Sequence, residues 1–198
     1  MREFPVPSAL KAPDMSITSR LDAWLAQEQE VLARIQAGAG VGVSRPDQVA
    51  GKTGLEMMQA MLCGELPAPP ITQTLDFLLL EVSEGRAVFQ GQPGPTHLNP
   101  MGGIHGGWYA TLLDSALGCA VHTMMPAGRG YTTAELSVNL VRAIQPAKTP
   151  RVRAEGQVIH CGRQLATAEA RLVGPDGTLY AHATTTCLVF ELPAQSRA

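Results

Sequence analysis

One stretch of the chain decides its fold: HLNPMGGIHGGWYATLLDSA, residues 97–116. A glycine-rich loop leads here into an apolar segment, roughly 104–124, that predicts one long helix. Each glycine inside a helix costs about 1 kcal/mol relative to alanine, so we expect this helix to pack closely against a backbone that offsets the cost. Its small residues are Gly106, Gly107, Ala110, Ser115, Ala116, Gly118 and Ala120.

Segments with strand-like patterns flank this helix on both sides. Two precede it and four follow, and the last two are joined by Gly-Pro-Asp-Gly at 174–177, a strong hairpin signal. This order predicts an α+β fold in which a curved antiparallel sheet wraps around the long helix. The predicted strands are 75–82, 86–92, 131–144, 151–160, 164–173 and 178–190.

The N-terminal third is predicted to be separate from this core. We assign residues 1–66 to a tail and a helical extension, 67–192 to the main domain, and 193–198 to a C-terminal tail. An amphipathic helix is predicted from Leu21, where Ser19 and Asp22 resemble a capping box.

A second, shorter helix is predicted at 55–63, with Thr53 and Glu56 as its capping box. It carries Met57, Met58 and Met61. Methionine adapts to varied apolar shapes, so the segment is predicted either to be core or to form a soft lid over a substrate pocket.

Composition and charge exclude several classes of function. The formal net charge is −2, and residues 1–66 hold six Lys or Arg against eight Asp or Glu, so we expect neither nucleic acid nor membrane as a partner. No secretory signal is recognisable, and no apolar run approaches the length of a membrane span. Four widely spaced cysteines without a C-x-x-C pair indicate reduced thiols in the cytoplasm and no zinc site.

The opening stretch also contains the pattern H-x-N-x-x-G-x-x-H-G-G, with an acid eight residues after the first Gly of H-G-G. In this the chain resembles the hotdog-fold acyl-CoA thioesterases of the PaaI-like (phenylacetate-degradation) type. The resemblance extends over about residues 75–190 and includes the segments 132–142 and 160–163. It implies a hotdog fold and hydrolysis of an acyl-CoA thioester. No metal or other cofactor is expected, since coenzyme A is part of the substrate.

The resemblance assigns roles that agree with the chemistry of the residues. Gly106 offers an unpaired amide at the positive end of the helix to the developing oxyanion. Asp114, the only acid between Glu84 and Glu135, acts as general base or as nucleophile, and both roles stay open. Asn99 positions water or the thioester, and His105 holds the loop through its ring.

By the same resemblance, further residues are expected to contact the coenzyme A part of the substrate. A guanidinium suits the recognition of phosphate. The expected contacts are Gly107, Thr133, Arg142, Gly162 and Arg163.

These roles carry a geometric consequence. Eight residues of helix separate Asp114 from Gly106, a distance of about 12 Å. An aspartate side chain cannot cover that distance, so the acid must serve a site built by a neighbouring copy. We therefore expect a homodimer with two shared sites, and the resemblance adds a tetramer.

Three questions stay open at this level. An acyl-CoA-sensing protein on the same fold, without catalysis, is the main alternative, although the extension lacks the basic charge of a DNA-binding region. An enoyl-CoA hydratase is disfavoured, because the nearest histidine after Asp114 is His122, about 12 Å along a helix. Trp108 and Tyr109 suggest an aryl or medium-length acyl group, unless they face a subunit contact.

Overall fold

The computed structural model describes residues 16–193, so the two predicted tails at 1–15 and 194–198 lie outside the described residues. The first helix, α1, spans Ile17–Ala37 and is followed by α2 (Pro46–Val49), α3 (Gly54–Leu62) and α4 (Ile71–Thr74). Strands β1 (Phe77–Ser83) and β2 (Arg86–Gly91) precede the long helix α5 (Gly106–His122). Four strands complete the chain: β3 (Arg129–Leu140), β4 (Val152–Cys161), β5 (Leu165–Val173) and β6 (Leu179–Glu191).

The six strands form one antiparallel sheet in the order β1-β2-β4-β5-β6-β3. Helix α5 contacts all six strands, which means that the sheet curls around it. The α+β hotdog prediction is therefore confirmed, with a small-residue helix at the centre. β1 and β3 are the two edges of the sheet.

Side chains alternate between the two faces of this sheet. In β1 and β2, Phe77, Leu79, Ala87 and Phe89 pack against α5 in the main core. A second core of Val31, Ile35, Ala68, Leu78 and Leu80 lies on the opposite face, under α1. The extension thus covers the outer face of the sheet at its β1 end.

The close packing expected around α5 is present at β4. A methyl group added at Gly156 would lie 2.3 Å from the carbonyl oxygen of Ala116. Backbone therefore meets backbone where the helix crosses this strand. The core around it includes Leu112, Leu113 and Leu117, all fully buried.

Two boundaries differ from the sequence prediction by four residues, and the other predicted bounds differ by two or fewer. Helix α1 begins at Ile17 rather than Leu21, because the Ser16 hydroxyl accepts a hydrogen bond from the Ser19 amide and is the N-cap. Strand β3 ends at Leu140 instead of residue 144, since the next two amides, of Val141 and Arg142, both donate to the carbonyl of Tyr180.

The start of α3 agrees with the sequence. The Thr53 hydroxyl accepts from the Glu56 amide at 3.2 Å, and the Thr53 amide donates to the Glu56 carboxylate at 2.7 Å. This is the reciprocal capping box predicted from the sequence. Among residues 16–193, no helix is long and apolar enough to cross a membrane.

Candidate active site

The loop before α5 is held in shape by its own side chains. The Asn99 side-chain oxygen accepts from the amides of Met101, at 2.9 Å, and Gly103, at 3.1 Å. Buried His97 stacks on Trp108, with ring centroids 5.5 Å apart, and its carbonyl accepts from the His105 amide. The Asn99 side-chain nitrogen has no hydrogen-bond partner within residues 16–193, so it is the part of this side chain left for a ligand.

The first amides of α5 are used unequally. His105 is the N-cap, and its Nδ1 accepts from the Gly107 amide at 2.9 Å. Its carbonyl accepts from the Trp108 amide at 3.0 Å. The Gly106 amide, by contrast, has no partner among the described residues of the chain. Since the helix end is its positive pole, this N–H is a free donor in a favourable field.

The space beside Gly106 is open apart from one side chain. A methyl group added there would meet the tip of Leu140, at 3.1 Å, and nothing else nearby. Leu140 is itself about half exposed. A carbonyl group can therefore approach the free amide closely.

Asp114 lies on the flank of α5 that faces β3. Its carboxylate accepts a hydrogen bond from the Thr133 hydroxyl at 3.1 Å. No cation pairs with it among residues 16–193. Sequence reasoning named Thr133 only as a substrate contact and missed this link, although Tyr131 and Thr133 alternate onto the face that meets α5.

Asp114 also acts on its neighbours through its charge. Burial and, second, the Asp114 charge raise the pKa of Cys119 to about 12. The same two influences, together with Cys119 and Cys187, raise the pKa of Tyr131 well above its ordinary value. Both groups are therefore protonated at neutral pH, and Cys119 is not a thiolate nucleophile.

The structure brings together some predicted residues and separates others. Arg142 follows the end of β3, whereas Gly162 and Arg163 form the turn between β4 and β5. Arg129, the first residue of β3, donates a hydrogen bond to the carbonyl of Arg163. The length of β3, about 35 Å, therefore separates the two predicted arginines within one protomer.

Two further expectations concern the aromatic pair and metals. Trp108 and Tyr109 are buried: the indole donates to the Leu75 carbonyl at 2.8 Å, and the phenol oxygen accepts from the Ile144 amide at 2.7 Å. Both side chains are packed into the core of one protomer, and contact of either with the acyl group stays a prediction. Within the described residues, no three His, Cys, Asp or Glu side chains are grouped as metal ligands.

Comparison with known proteins adds to this geometry. Residues 101–181 match the model of the Thioesterase superfamily. The matched residues include α5 and strands β3, β4 and β5 of the hotdog fold. No curated protein matches the chain.

Solved structures match this hotdog domain over nearly their whole length. A thioesterase family protein from Silicibacter pomeroyi is 26% identical, with a TM-score of 0.57 over 62% of this chain and 90% of its own. A point mutant of the phenylacetic acid degradation protein PaaI from Thermus thermophilus is 28% identical, with a TM-score of 0.54 over 60% and 97%. A phenylacetic acid degradation-related protein from Ralstonia eutropha is 27% identical, with a TM-score of 0.60 over 66% and 98%.

The resemblance to PaaI-like hotdog thioesterases is thus confirmed, and it supports thioester hydrolysis in general terms. The matched superfamily region begins at residue 101, so the N-terminal extension lies outside it. The roles of individual site residues stay predictions.

Proposed function

We propose that this protein hydrolyses acyl-CoA thioesters to a carboxylic acid and coenzyme A, without a metal or other cofactor. The observation that carries the proposal is the free amide of Gly106, beside amides that are already used at Gly107 and Trp108. In the transition state of thioester hydrolysis the carbonyl oxygen becomes negative. A preorganised donor at a helix N-terminus stabilises this charge, and losing one such donor typically costs about 100- to 1,000-fold in rate.

Asp114 supplies the second half of the chemistry. The Thr133 hydroxyl fixes one carboxylate oxygen, which leaves the other to act on water as a base or on the carbonyl carbon as a nucleophile. We propose that the free nitrogen of Asn99 orients the water or the thioester. His105 holds the loop by accepting from Gly107, so we assign it a positioning role.

We propose that the site is shared between two copies of the chain. Gly106 and Asp114 lie about 12 Å apart on one helix, too far for one carbonyl group. The outer edge of β3 has no partner strand among residues 16–193, and an unpaired long edge is a template for pairing with another strand.

Antiparallel pairing of β3 with β3 of a second copy gives a specific register. Gly106 lies beside Leu140, and Asp114 lies beside Thr133. Pairing centred between Leu136 and Ser137 brings the Gly106 end of one copy opposite the Asp114 end of the other. It also brings Arg142 of one copy to the same end of the interface as Arg163 of the other, where both can contact coenzyme A. A tetramer of two such dimers stays a prediction of the resemblance.

A cytoplasmic location forms part of this proposal. Cys63, Cys119, Cys161 and Cys187 are all free. Free thiols are typical of proteins in reducing compartments.

The first test is thiol release from a panel of acyl-CoAs by the wild type and by Asp114→Asn. We expect hydrolysis of some members and a loss of about 100- to 10,000-fold in the variant, with an unchanged melting temperature. An Asp114→Asn protein as fast as the wild type would contradict the site. Binding of acyl-CoA without thiol release would favour the non-catalytic, acyl-CoA-sensing alternative.

A second test isolates the amide of Gly106. Proline is favoured at the first position of a helix, and the extended backbone of His105, with φ −63° and ψ 136°, is compatible with a following proline. Gly106→Pro therefore removes the N–H and preserves the fold. We expect a loss of about 100- to 1,000-fold, and a smaller loss for the matched control Gly106→Ala, which keeps the donor.

Mixing the two inactive variants tests the shared site. A heterodimer of Asp114→Asn with Gly106→Pro has one site in which both groups are intact. Random exchange of subunits should restore about one quarter of the wild-type rate. No recovery in a mixture shown by mass spectrometry to contain heterodimers would place both groups in the same protomer's site.

A further inference from the structure

The N-terminal extension encloses a cavity of about 200 Å³ at the β1 edge of the sheet. Helix α1 contributes Val31 and Ile35 to its wall, and α3 contributes Met58, Met61 and Leu62. The cavity wall contains no Lys, Arg, Asp or Glu. The enclosed space is therefore suited to an uncharged, apolar group.

The inner end of this cavity is lined by residues of α5 that begin five positions after the candidate catalytic Asp114. Its wall includes Cys119 and Tyr131, the two groups whose pKa values the Asp114 charge raises. Tyr131 covers Gly118, where an added methyl group would lie 2.9 Å from the phenol oxygen. Cys119 follows Asp114 by five residues, which is about 7.5 Å along the helix. The cavity thus ends about one and a half helical turns from the residue that carries the carboxylate.

His122, which also lines the inner end of the cavity, is neutral. Burial lowers the pKa of His122, which lines the cavity from the last turn of α5. At neutral pH its imidazole carries no charge. A carboxylate at the end of an acyl chain would therefore find no counterion here, and burying such a charge unpaired is expensive.

The roof of the cavity is fixed to the rest of the domain. The Gly54 amide, at the start of α3, donates to the Met125 carbonyl at 2.8 Å. A methyl group added at Gly54 would lie 1.8 Å from the His122 carbonyl oxygen. At the other end of α3, the Ala39 amide donates to the Gly64 carbonyl at 2.8 Å. The position of α3 over the cavity is therefore fixed, and methionine side chains give the cavity wall some adaptability.

We propose that this cavity receives the acyl group of the substrate, so that the extension sets acyl selectivity. The inference rests on the proposed hydrolysis of acyl-CoA. An apolar cavity of about 150 Å³ is large enough to bind benzene. A cavity of about 200 Å³ therefore holds one phenyl ring or an unbranched chain of roughly six carbons. The substrate class is an uncharged aryl or medium-chain acyl-CoA.

The test compares kcat/KM for acetyl-, butanoyl-, hexanoyl-, octanoyl-, decanoyl-, phenylacetyl- and succinyl-CoA. We expect kcat/KM to rise about fourfold for each methylene that enters the cavity, which corresponds to about 0.8 kcal/mol per buried CH₂. The rise should stop at about six carbons, when the cavity is full. Phenylacetyl-CoA should be a good substrate, and succinyl-CoA should be no better than acetyl-CoA.

Variants that fill the cavity give the decisive comparison. Ile35→Phe should lower kcat/KM for hexanoyl-CoA by about tenfold or more, the loss of nearly two buried methylenes, and leave acetyl-CoA within about twofold. Met61→Trp, at a partly buried position, provides a second filling variant if Ile35→Phe does not fold. The matched control is Leu55→Phe, on α3 but outside the cavity wall, which should leave the whole series unchanged.

The outcomes separate this inference from the proposed function. Hydrolysis without dependence on chain length overturns the inference and leaves the thioesterase intact. So does an equal loss for acetyl- and hexanoyl-CoA in folded filling variants, or no loss for either. No thiol release from any member, acetyl-CoA included, overturns the proposed function and the inference with it.

Discussion

The helices α5 and α1 cover opposite faces of one sheet by different means. α5 lies against the inner face through apolar side chains and direct backbone contact, as at Gly156. α1 fully buries only Trp24, Val31 and Ile35, and polar side chains make further contacts with the outer face.

A network of ion pairs and hydrogen bonds holds α1 in place. Arg151 donates two hydrogen bonds, of 2.7 and 2.8 Å, to the Glu28 carboxylate. Buried Arg153 donates to Gln27, Glu81 and Gln90, at 2.8 to 3.2 Å. Its guanidinium also lies over the Trp24 ring, 4.4 Å from the centroid. The outer face of the sheet therefore holds α1 largely by charged and polar contacts, whereas the inner face holds α5 by close packing.

The difference shows how to distinguish structural carboxylates from the candidate catalytic one. Glu28 and Glu81 each have an arginine partner. Asp114 has only the Thr133 hydroxyl among the described residues. A carboxylate that the fold leaves without a counterion, on a partly exposed flank of the helix that bears the free amide, remains available for chemistry.

The largest effect on stability is expected from disrupting the close packing between α5 and β4 on the inner face. Gly156→Ala places a methyl group 2.3 Å from the Ala116 carbonyl oxygen, and backbone cannot rotate out of the way. We expect the free energy of unfolding to fall by about 3 kcal/mol, at the upper end for overpacked sites. Activity should fall as well, because Ala116 lies two residues after Asp114.

Denaturant unfolding and thiol release measure these two effects. Gly42→Ala is the matched control, since an added methyl group there would be 3.7 Å from its nearest neighbour. We expect the control to change stability by less than about 1 kcal/mol. An equally stable Gly156→Ala protein would show that α5 is free to move away from β4.

A somewhat smaller effect on stability is expected from removing the charged contacts between α1 and the outer face. Arg153→Met leaves the partly buried Glu81 carboxylate with Arg86 alone and removes the donor to the side-chain oxygens of Gln27 and Gln90. We expect a loss of about 2–3 kcal/mol, below the range for fully buried pairs, because a third of the Glu81 side chain is exposed.

The activity of the same variant tests whether the outer face of the sheet influences the catalytic site. Arg153 contacts α1 and the outer face, so kcat for a folded Arg153→Met protein should stay within about twofold of the wild type. A large drop in kcat at full foldedness would mean that the outer face acts on the catalytic site, contrary to the division drawn between the two faces.

Sequence reasoning predicted the inner side of the molecule because its signals are local. The helix, its glycines and the spacing from Gly106 to Asp114 all lie within one stretch, and the strand alternation is read from neighbouring residues. The link from Asp114 to Thr133 spans only 19 residues but requires knowing which strand faces the helix. It was missed for that reason.

The outer side could not be predicted in this way. Glu28 and Arg151 are 123 residues apart in sequence, and Gln27 and Arg153 are 126 apart. No periodic pattern pairs such residues. The cavity under α3 is also formed by residues that are distant in sequence, since its wall combines α1, α3, α5 and β3. Arg142 and Arg163 are a different case. They lie far apart within one protomer and come together only between two copies of the chain in the proposed dimer.

The smallest effect concerns the pH dependence contributed by Glu28. Burial raises the pKa of this carboxyl group, but hydrogen bonds from Arg151 and Gln90 outweigh it, so the pKa lies below its ordinary value of 4.5. A lowered pKa means that the folded state binds the proton less tightly than the unfolded state. The stabilisation is therefore complete above about pH 4.5 and is lost as pH falls through the lower, folded-state pKa.

Glu28→Gln should remove this contribution, which we expect to be about 1 kcal/mol because solvent screens a partly exposed pair. Unfolding curves from pH 7 to pH 3 should show a flatter acid limb for the variant, with the remaining slope carried by groups such as Glu81, whose pKa is also lowered. Glu30→Gln is the matched control on the same helix, since its pair with Arg34 is long, at 3.5 Å, and exposed. An acid limb as steep in Glu28→Gln as in the wild type would show that Arg151 holds α1 by hydrogen bonding alone, and that charge at this position adds nothing to the outer face.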